Sequence, residues 1–555
     1  MESTPAQNPP PARAAWVRPA PHEWLLAAIG LGLLLAYYWL LDDAFIYYRY
    51  VDNYVFLRLG LVYNHGEYVE GYTSPLWLIL LITLRTFHLT YPVIVIGAGA
   101  ATYAAFCYAL VVLNRALASP QCVLNLPLAF FATNYAVLCY FTSGLETPLV
   151  QLMAVLFALA ALRPAARGLH PVIALAPLLR YELVLPLLLL TVWIWAHNRR
   201  APWRLLFVAL LANGGWLLFR VWYYASLFPN VYYLKSGTDF AQGWIYFLNA
   251  VQPYHYLPIT ALMLLLALLT RQHLTCRLFL LLMAFPVAFY VVKIGGDARH
   301  YRYLAFPLIL LACSWAGLPE HALAMWSHPD RFRIAPWLAA LVAIGLYTCY
   351  PPQLSGHPLV RHTVHVETDT KIADAFGHRW NYRLSQAFWG ETARPETLMA
   401  LREERPDWYY DKVHEEGWCV EAYVKNTHRI IHLLGLTDPY LARVPMFTDR
   451  PGHKYGLMPL ALDLVKIQHH AAIIGPGFFE RVANTPGCPK WVLDNLDTLN
   501  IIEARTYNEH NLFDNLRLAL TPTQPILYTA DPVEQPASYA TEPGQKPSSV
   551  SSAGQ

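Results

Sequence analysis

The sequence predicts a mainly α-helical, polytopic membrane protein, with about eleven transmembrane helices, interfacial helices and a C-terminal extracytoplasmic mixed α/β domain. Of the 555 residues, 56% are hydrophobic and only 14% are charged, which is too apolar for a soluble chain of this length. Long apolar runs fill residues 24–350, whereas the chain after them carries scattered charge. The membrane part therefore comes first.

Apolar stretches of spanning length, or close to it, define the transmembrane helices. We place them at 24–41, 91–113, 123–140, 146–162, 169–180, 183–197, 203–223, 253–270, 278–293, 303–318 and 334–350. Residues 75–90 are apolar, but Arg85 and His88 interrupt them, so we assign them to an interfacial helix. Another interfacial helix is expected after Asp43, where apolar residues follow helical spacing.

Arginines mark every second connection between these stretches, and the positive-inside rule places such connections in the cytoplasm. They are Arg13 and Arg18, Arg115, Arg163 and Arg167, Arg199, Arg200 and Arg204, Arg271 and Arg277, and Arg331 and Arg333. The N terminus is then cytoplasmic, and the C-terminal domain is periplasmic or otherwise extracytoplasmic.

Composition divides the chain into four parts. Residues 1–21 are rich in proline and alanine and are predicted to be a disordered cytoplasmic arm, because no cleavage site follows the first apolar stretch. Residues 22–350 form the transmembrane domain, with a first outer loop at 42–90. Residues 351–520 form the soluble domain, and the Pro/Ser/Gln-rich residues 521–555 form a disordered tail.

Two adjacent carboxylates, Asp42 and Asp43, stand where the first apolar stretch ends. Like charges repel, so the pair is expected near a cation, a hydrogen-bond donor or a group that needs a proton transferred. The alternative is that one of them merely caps the following helix. We predict a catalytic role for the pair, with which capping is compatible.

Other polar residues converge on the same outer side from several loops. For any one of them a solvated loop position is the simpler interpretation, but charges near a hydrocarbon boundary are costly, and their convergence favours a site. The candidates for binding a phosphate are Arg180, Lys235, Arg299, His300 and Arg302. The candidates for contacting a polar substrate are Arg49, Glu67, Glu70, Tyr72, Glu146, Glu182 and Asp297.

Several short motifs, in order, resemble a known family. They are Asp-Asp-Ala-Phe-Ile at 42–46, Glu-Gly-Tyr-Thr-Ser-Pro-Leu-Trp at 70–77, Ser-Gly-Leu-Glu-Thr at 143–147, Pro-Asn-x-Tyr-Tyr-x-Lys at 229–235, and Gly-Gly-Asp at 295–297 followed by Arg-Tyr. Together they resemble the mycobacterial arabinofuranosyltransferase B family and related bacterial GT-C membrane glycosyltransferases. The chain departs from the pattern at Arg180-Tyr181-Glu182, where relatives commonly have Arg-Pro-Glu, and between Asp297 and Tyr301, which is shorter than usual.

The resemblance implies a GT-C-type fold in the bacterial cytoplasmic (inner) membrane and a glycosyltransferase. Such an enzyme takes a sugar, here a candidate arabinofuranose, from a polyprenyl-phosphate donor and passes it to an envelope glycan, glycolipid or protein acceptor on the outer face. It also implies that Asp42 and Asp43 lie at the catalytic centre. No cofactor is certain, although a divalent cation, Mg²⁺ or Mn²⁺, is a candidate. The formal net charge of +3 gives no reason to expect nucleic acid.

Two alternatives stay open: a transporter or flippase for a polyprenyl-linked glycan, and a non-catalytic envelope assembly protein. A transporter should place ionisable groups at mid-membrane and should show broken helices or an internal repeat, and the sequence shows neither a repeat nor a buried ladder of carboxylates. An assembly protein would leave the paired aspartates without a task.

Cys419 and Cys488 are the cysteines of the predicted soluble domain. A pair of thiols on the oxidising side of a membrane is a candidate disulfide, so we predict that they are bridged. The other cysteines lie in or beside apolar stretches, where each fits as a small buried side chain.

Overall fold

The apolar stretches of the sequence fold into helices in a computed structural model of the chain. The structure describes residues 17–36, 38, 40–117, 125–252, 254–297, 299, 301–319, 410–416, 419, 423, 427–433, 435–445, 457–470 and 475–528. The predicted span at 334–350, residues 351–409 of the predicted soluble domain, most of the two predicted disordered ends, and His300 lie outside these described residues.

Helices make up most of the described part up to residue 319. They are α1 (Pro21–Ala36), α2 (Ala44–Val55), α3 (Pro75–Arg85), α4 (Tyr91–Leu117), α5 (Leu126–Thr133), α6 (Tyr135–Leu138), α7 (Thr147–Leu162), α8 (His170–Ile173), α9 (Ala176–Leu179), α10 (Val184–Asn198), α11 (Trp203–Ala209), α12 (Gly215–Tyr224), α13 (Asn230–Leu234), α14 (Phe240–Val251), α15 (Tyr256–Thr270), α16 (Leu274–Lys293) and α17 (Ala305–Cys313). A π-helical turn, Leu210–Gly214, joins α11 to α12.

Within the described ranges, four helical segments are long and apolar enough to cross a membrane: Tyr91–Leu117, Tyr181–Asn198, Trp203–Tyr224 and Leu274–Lys293. The pair α14 and α15, bent by 70°, would make a fifth. Other predicted spans form shorter apolar helices, among them Thr147–Leu162 and Arg302–Cys313. The membrane character is therefore supported, whereas the number of about eleven crossings stays a prediction.

The predicted span at 123–140 is broken into α5 and α6 at Asn134. This residue has extended backbone angles, and its side-chain oxygen accepts a hydrogen bond from the Val137 N–H at 3.1 Å. The side chain thus offers the backbone a partner outside the helical ladder, which ends one helix and caps the next. Apolar length alone could not reveal this break.

A buried carboxylate, Asp52, fixes helix α2 beside the membrane helices. Its Oδ1 accepts hydrogen bonds from Arg85 Nε at 3.1 Å and from the Tyr91 hydroxyl at 2.8 Å. Its Oδ2 accepts one from the Tyr423 hydroxyl at 2.5 Å. Asp52 therefore joins α2 to α3, to the start of α4 and to the C-terminal part, and so sets where the residues before α2 lie.

The described C-terminal part contains both strands and helices. Strands β1 (Tyr410–Glu416) and β2 (Thr427–His432) pair in parallel. The helices are α18 (Leu457–His470), α19 (Phe478–Ala483), α20 (Lys490–Asp494), α21 (Leu496–Thr506) and α22 (Leu512–Leu520). A domain covering all of 351–520 stays a prediction, since much of it lies outside the described residues.

Two asparagines, Asn64 and Asn230, hold this C-terminal part against the preceding helical part. Asn64 Nδ2 donates to the Ile430 carbonyl at 2.9 Å, and its Oδ1 accepts from the Ile430 N–H at 2.9 Å. Asn230 Nδ2 lies within 3.0–3.1 Å of the carbonyls of Gly435, Leu436 and Asp438. Strand β2 and the turn after it are thereby placed next to the loop at 42–90 and the start of α13.

Candidate active site

Asp43 immediately precedes α2 but makes no side-chain capping hydrogen bond to it. Instead its Oδ2 accepts a hydrogen bond from Arg302 Nη1 at 2.7 Å. The Asp43 side chain is 26% exposed, whereas that of Arg302 is only 6% exposed. The partly exposed Asp43 carboxylate is therefore held by the buried Arg302 guanidinium. Capping of α2 does not explain its position.

Asp42 binds a different partner, because its Oδ2 accepts a hydrogen bond from the backbone N–H of Cys419 at 3.0 Å. The Cys419 Sγ in turn lies 3.1 Å from His432 Nε2, and both side chains are buried. The two aspartates thus differ in their surroundings: Asp43 pairs with a guanidinium, and Asp42 receives a backbone donor from the C-terminal part.

The predicted Cys419–Cys488 bridge is wrong in this structure, where both residues are free cysteines. Cys419 faces His432, while the Cys488 thiol donates to the Pro489 carbonyl at 3.5 Å. Burial raises the pKa of the Cys419 thiol, and the nearby Asp42 and Asp43 raise it further. The thiolate required for disulfide exchange is therefore disfavoured at this position.

Beyond Asp43 lies a buried group of opposite charges. Arg302 Nη1 is 3.6 Å from Asp297 Oδ2, and Lys235 Nζ is 3.7 Å from Asp297 Oδ1. Lys235 also donates to the Tyr303 hydroxyl and lies over the Tyr303 ring. Burial lowers the pKa of Lys235, but Tyr303 and Asp297 outweigh this effect and the net pKa is raised. The amine is therefore a cation at neutral pH.

Arg180 is joined to this group through Tyr303. Its guanidinium stacks 4.0 Å from the Tyr303 ring centroid, and it pairs with Glu182 and, at 3.4 Å, with Glu146. Both glutamates are buried, and one oxygen of each has no hydrogen-bond partner among the described residues. Buried polar atoms are seldom left unpaired, so these oxygens mark a polar site. The two predicted substrate residues therefore hold Arg180 in place.

Arg299, two residues after Asp297, is a further buried cation of this part of the chain. Its side chain is buried, and within the described part of the chain no carboxylate or hydrogen-bond acceptor pairs with its guanidinium. Its positive charge opposes the rise in the pKa of Cys419 that burial and the two aspartates cause. Its carbonyl accepts a hydrogen bond from Tyr246 at 2.9 Å. Arg299 is thus the cation best able to meet an anionic ligand.

Two other predicted substrate residues, Arg49 and Glu67, hold the loop at 42–90 in place. Arg49 Nε donates to the Tyr63 carbonyl at 2.7 Å. Glu67 accepts a hydrogen bond from Asn64 at 2.8 Å and forms an ion pair with Arg429. These contacts fix the loop and the C-terminal part to each other.

Glu70 and Tyr72 likewise have partners among the described residues. Glu70 pairs with Arg220 and accepts a hydrogen bond from Trp216 Nε1 at 3.3 Å. The Tyr72 hydroxyl lies 2.8 Å from that of Tyr224. Contact of these residues with a substrate stays a prediction, because the structure gives each of them a structural partner.

Cys419 and His432 are residues of the site that the sequence did not indicate. The Asp42–Cys419 hydrogen bond joins residues 377 positions apart, and such a contact leaves no local pattern. The sequence indicates Cys419 only as a candidate for the disulfide with Cys488. His432 lies in β2, where the alternation of a strand gives a buried histidine no special signature.

The side chains of Asp42, Asp43 and Cys419 bring potential metal-ligand atoms within 4.8 Å of one another. Mg²⁺ and Mn²⁺ prefer oxygen ligands, whereas this set includes a buried thiol of raised pKa, and Arg302 already pairs with one carboxylate. The residues present therefore do not fit either predicted cation.

A comparison with curated proteins finds the terminal β-(1→2)-arabinofuranosyltransferase of Corynebacterium glutamicum, which is 26% identical over 347 residues. The match covers 51% of this chain and 48% of the relative, so the chain spans about half the length of that protein. The similarity supports a glycosyltransferase role. Together with the candidate membrane spans, it indicates a membrane protein. No family model matches, and no solved structure does.

Proposed function

We propose that the chain is a GT-C-type membrane glycosyltransferase that uses a polyprenyl-phosphate sugar and acts at the outer face of the bacterial inner membrane. Its acceptor is an envelope glycan, glycolipid or protein. The observation that carries this proposal is the contact between Asp43 and Arg302, which joins a partly exposed carboxylate to a group of buried cations. Sugar transfer needs a base for the acceptor proton and positive charge beside the departing phosphate.

Asp43 is the proposed base. Its side chain is partly exposed, so an acceptor hydroxyl can approach within the roughly 2.6–3.2 Å needed for proton transfer. Pairing with Arg302 favours the ionised carboxylate. Asp42 has the positioning role, because its hydrogen bond to Cys419 ties the residues before α2 to the C-terminal part.

The cations of the site are proposed to bind the donor phosphate. Arg302 and Lys235 share Asp297, and Arg180 is balanced by two glutamates, which leaves Arg299 as the principal contact. In the transfer step the acceptor oxygen bonds to the anomeric carbon as the bond from that carbon to the phosphate oxygen breaks. The proton goes to Asp43, and the polyprenyl phosphate leaves with the bonding electron pair beside the cations.

Arabinofuranose is the sugar we propose to test first, because the relative is a terminal β-(1→2)-arabinofuranosyltransferase. Membranes containing the protein should transfer label from polyprenyl-phosphoarabinofuranose to an envelope acceptor, and protein with Asp43→Asn should not. Movement of labelled donor across vesicles without any glycosidic product, unchanged in the variant, would favour the transporter alternative and contradict the proposal.

A further inference from the structure

A cavity of about 690 Å³ lies between the connection that follows α7 and the connection that follows α10. Both helices begin beside the Glu146–Arg180–Glu182 group and end at this cavity, which is therefore at the opposite end of the bundle from the candidate active site. Its principal lining residues are Arg167, His170, Asn198, Arg200, Trp203 and Arg204.

The lining is positive and contains no acidic residue. Arg167, Arg200 and Arg204 are exposed, and among the described residues no carboxylate pairs with any of them. A hydrogen bond holds the two connections that line the cavity together, because Asn198 Nδ2 donates to the Pro164 carbonyl at 2.7 Å. Three guanidinium groups thus surround one space without an internal counter-charge.

His170 supplies an independent indication of a ligand. The residue is only 3% exposed, it lines the cavity, and its ring Nδ1 has no hydrogen-bond partner in the described part of the chain. A buried nitrogen without a partner is costly unless something else satisfies it. The adjacent Trp203 is 74% exposed, as aromatic residues at a membrane–water interface are.

We propose that this cavity binds the phosphate of an anionic phospholipid headgroup. Arginine forks match phosphate oxygens, and basic pockets between membrane helices are suited to anionic headgroups. The positive-inside rule accounts for arginines in these connections, but it requires neither a cavity nor a buried histidine beside them. By that rule the lipid belongs to the cytoplasmic leaflet, away from the proposed transfer site.

The test uses the full chain purified in detergent and stripped of lipid, with bound lipid measured by native mass spectrometry. Phosphatidylglycerol should bind more tightly than phosphatidylcholine. The double variant Arg200→Gln, Arg204→Gln should weaken phosphatidylglycerol binding roughly tenfold to thirtyfold, since each surface charge contributes modestly. Arg271→Gln, an exposed arginine in another basic connection, is the matched control and should bind like the parent.

Competition by inorganic phosphate tests whether the ligand is a lipid or a soluble anion. Phosphate alone should compete only weakly, because it lacks the acyl chains beside the bundle. Equal binding of inorganic phosphate and phosphatidylglycerol would contradict the proposal that the ligand is a lipid. So would equal binding of phosphatidylglycerol and phosphatidylcholine, or a loss of phosphatidylglycerol binding in Arg271→Gln as large as in the double variant. Because the substituted arginines are exposed, the melting temperature without lipid should stay at the parental value in every variant.

Discussion

Arg302 Nη1 lies 2.7 Å from Asp43 Oδ2, although the two residues are 259 positions apart in the chain. The contact joins the start of α2 to the turn that leads into α17. Arg302 also lies near Asp297. Its guanidinium therefore connects the partly exposed carboxylate of Asp43 with the buried Asp297–Lys235 pair. This arrangement makes the two adjacent aspartates chemically different.

Asp43→Asn should reduce sugar transfer by about a hundredfold to ten-thousandfold, as expected for loss of a general base. Asn keeps the size of the side chain and can still bond to Arg302, so the protein should reach the membrane in normal amount. Asp42→Asn should have a smaller effect, because its amide oxygen can still accept from the Cys419 N–H. Initial transfer rates, corrected for protein amount, would measure both.

Asp239→Asn is the matched control, since Asp239 caps α14 by accepting a hydrogen bond from the Gln242 N–H at 3.0 Å. Asn caps a helix about as well as Asp, so transfer should continue at the parental rate. A parental rate in Asp43→Asn as well would mean that Asp43 is not the base.

The sequence predicted those features that depend on apolar length and on residue type. Asp43, Lys235, Asp297 and Arg302 were all chosen as site residues, and the structure brings them into one group. Charged residues at the ends of apolar stretches made this prediction possible. A charge near the hydrocarbon boundary is costly unless it pairs with another group or belongs to a site.

The sequence could not show which partners the predicted substrate residues have in the folded chain. Glu70 pairs with Arg220, and Arg49 donates to the Tyr63 carbonyl, while contact of either residue with a substrate stays a prediction. Nor could it predict the Asn134 break, which depends on a side chain competing with helical hydrogen bonds. The partners of Glu70 and Arg49 are set by tertiary contacts, whereas the Asn134 break is set by a local cap that apolar length does not reveal.

Arg299→Gln should separate activity from stability. If Arg299 binds the donor phosphate, its loss should lower kcat/KM for the donor by roughly tenfold to a hundredfold, the value of a charge-assisted hydrogen bond. The melting temperature should stay the same or rise, because Arg299 is buried and forms no ion pair with the described residues, and such a charge is costly in the folded state. A parental kcat/KM would show that the donor phosphate binds elsewhere.

Arg180→Gln provides the contrast, because Arg180 is paired with two buried carboxylates. Its removal should leave Glu146 and Glu182 without their counter-charge and should lower the melting temperature and the folded yield. Both quantities can be read by thermal unfolding in detergent. Equal thermal behaviour of the two arginine variants would contradict the different roles assigned to them.

Native alkylation should distinguish the two cysteines of the C-terminal part. Cys488 is only partly buried and should react in the folded protein, whereas Cys419 is buried and should react only after denaturation. Mass mapping without reduction should find both as separate thiols. A cross-linked peptide containing both residues would instead restore the disulfide predicted from the sequence.

The buried His432 should make folding stability depend on pH. Burial lowers its pKa from 6.5 to about 4, an effect that the nearby Asp43 opposes only in part. The unfolded chain therefore binds a proton at a higher pH than the folded chain does. The stability that neutral His432 contributes is complete above about pH 6.5 and is lost as the pH falls towards 4, by at most about 3 kcal/mol.

His432→Gln removes this titration and should flatten the fall in melting temperature between pH 6.5 and pH 4.5. Asp438 acts in the opposite direction, because burial raises its pKa from 3.8 to about 6. Its contribution is complete below pH 3.8 and is lost as the pH rises through 6. The difference between parent and His432→Gln therefore isolates the histidine, since Asp438 is present in both proteins. Parallel melting curves across this pH range would show that His432 does not change its protonation on unfolding.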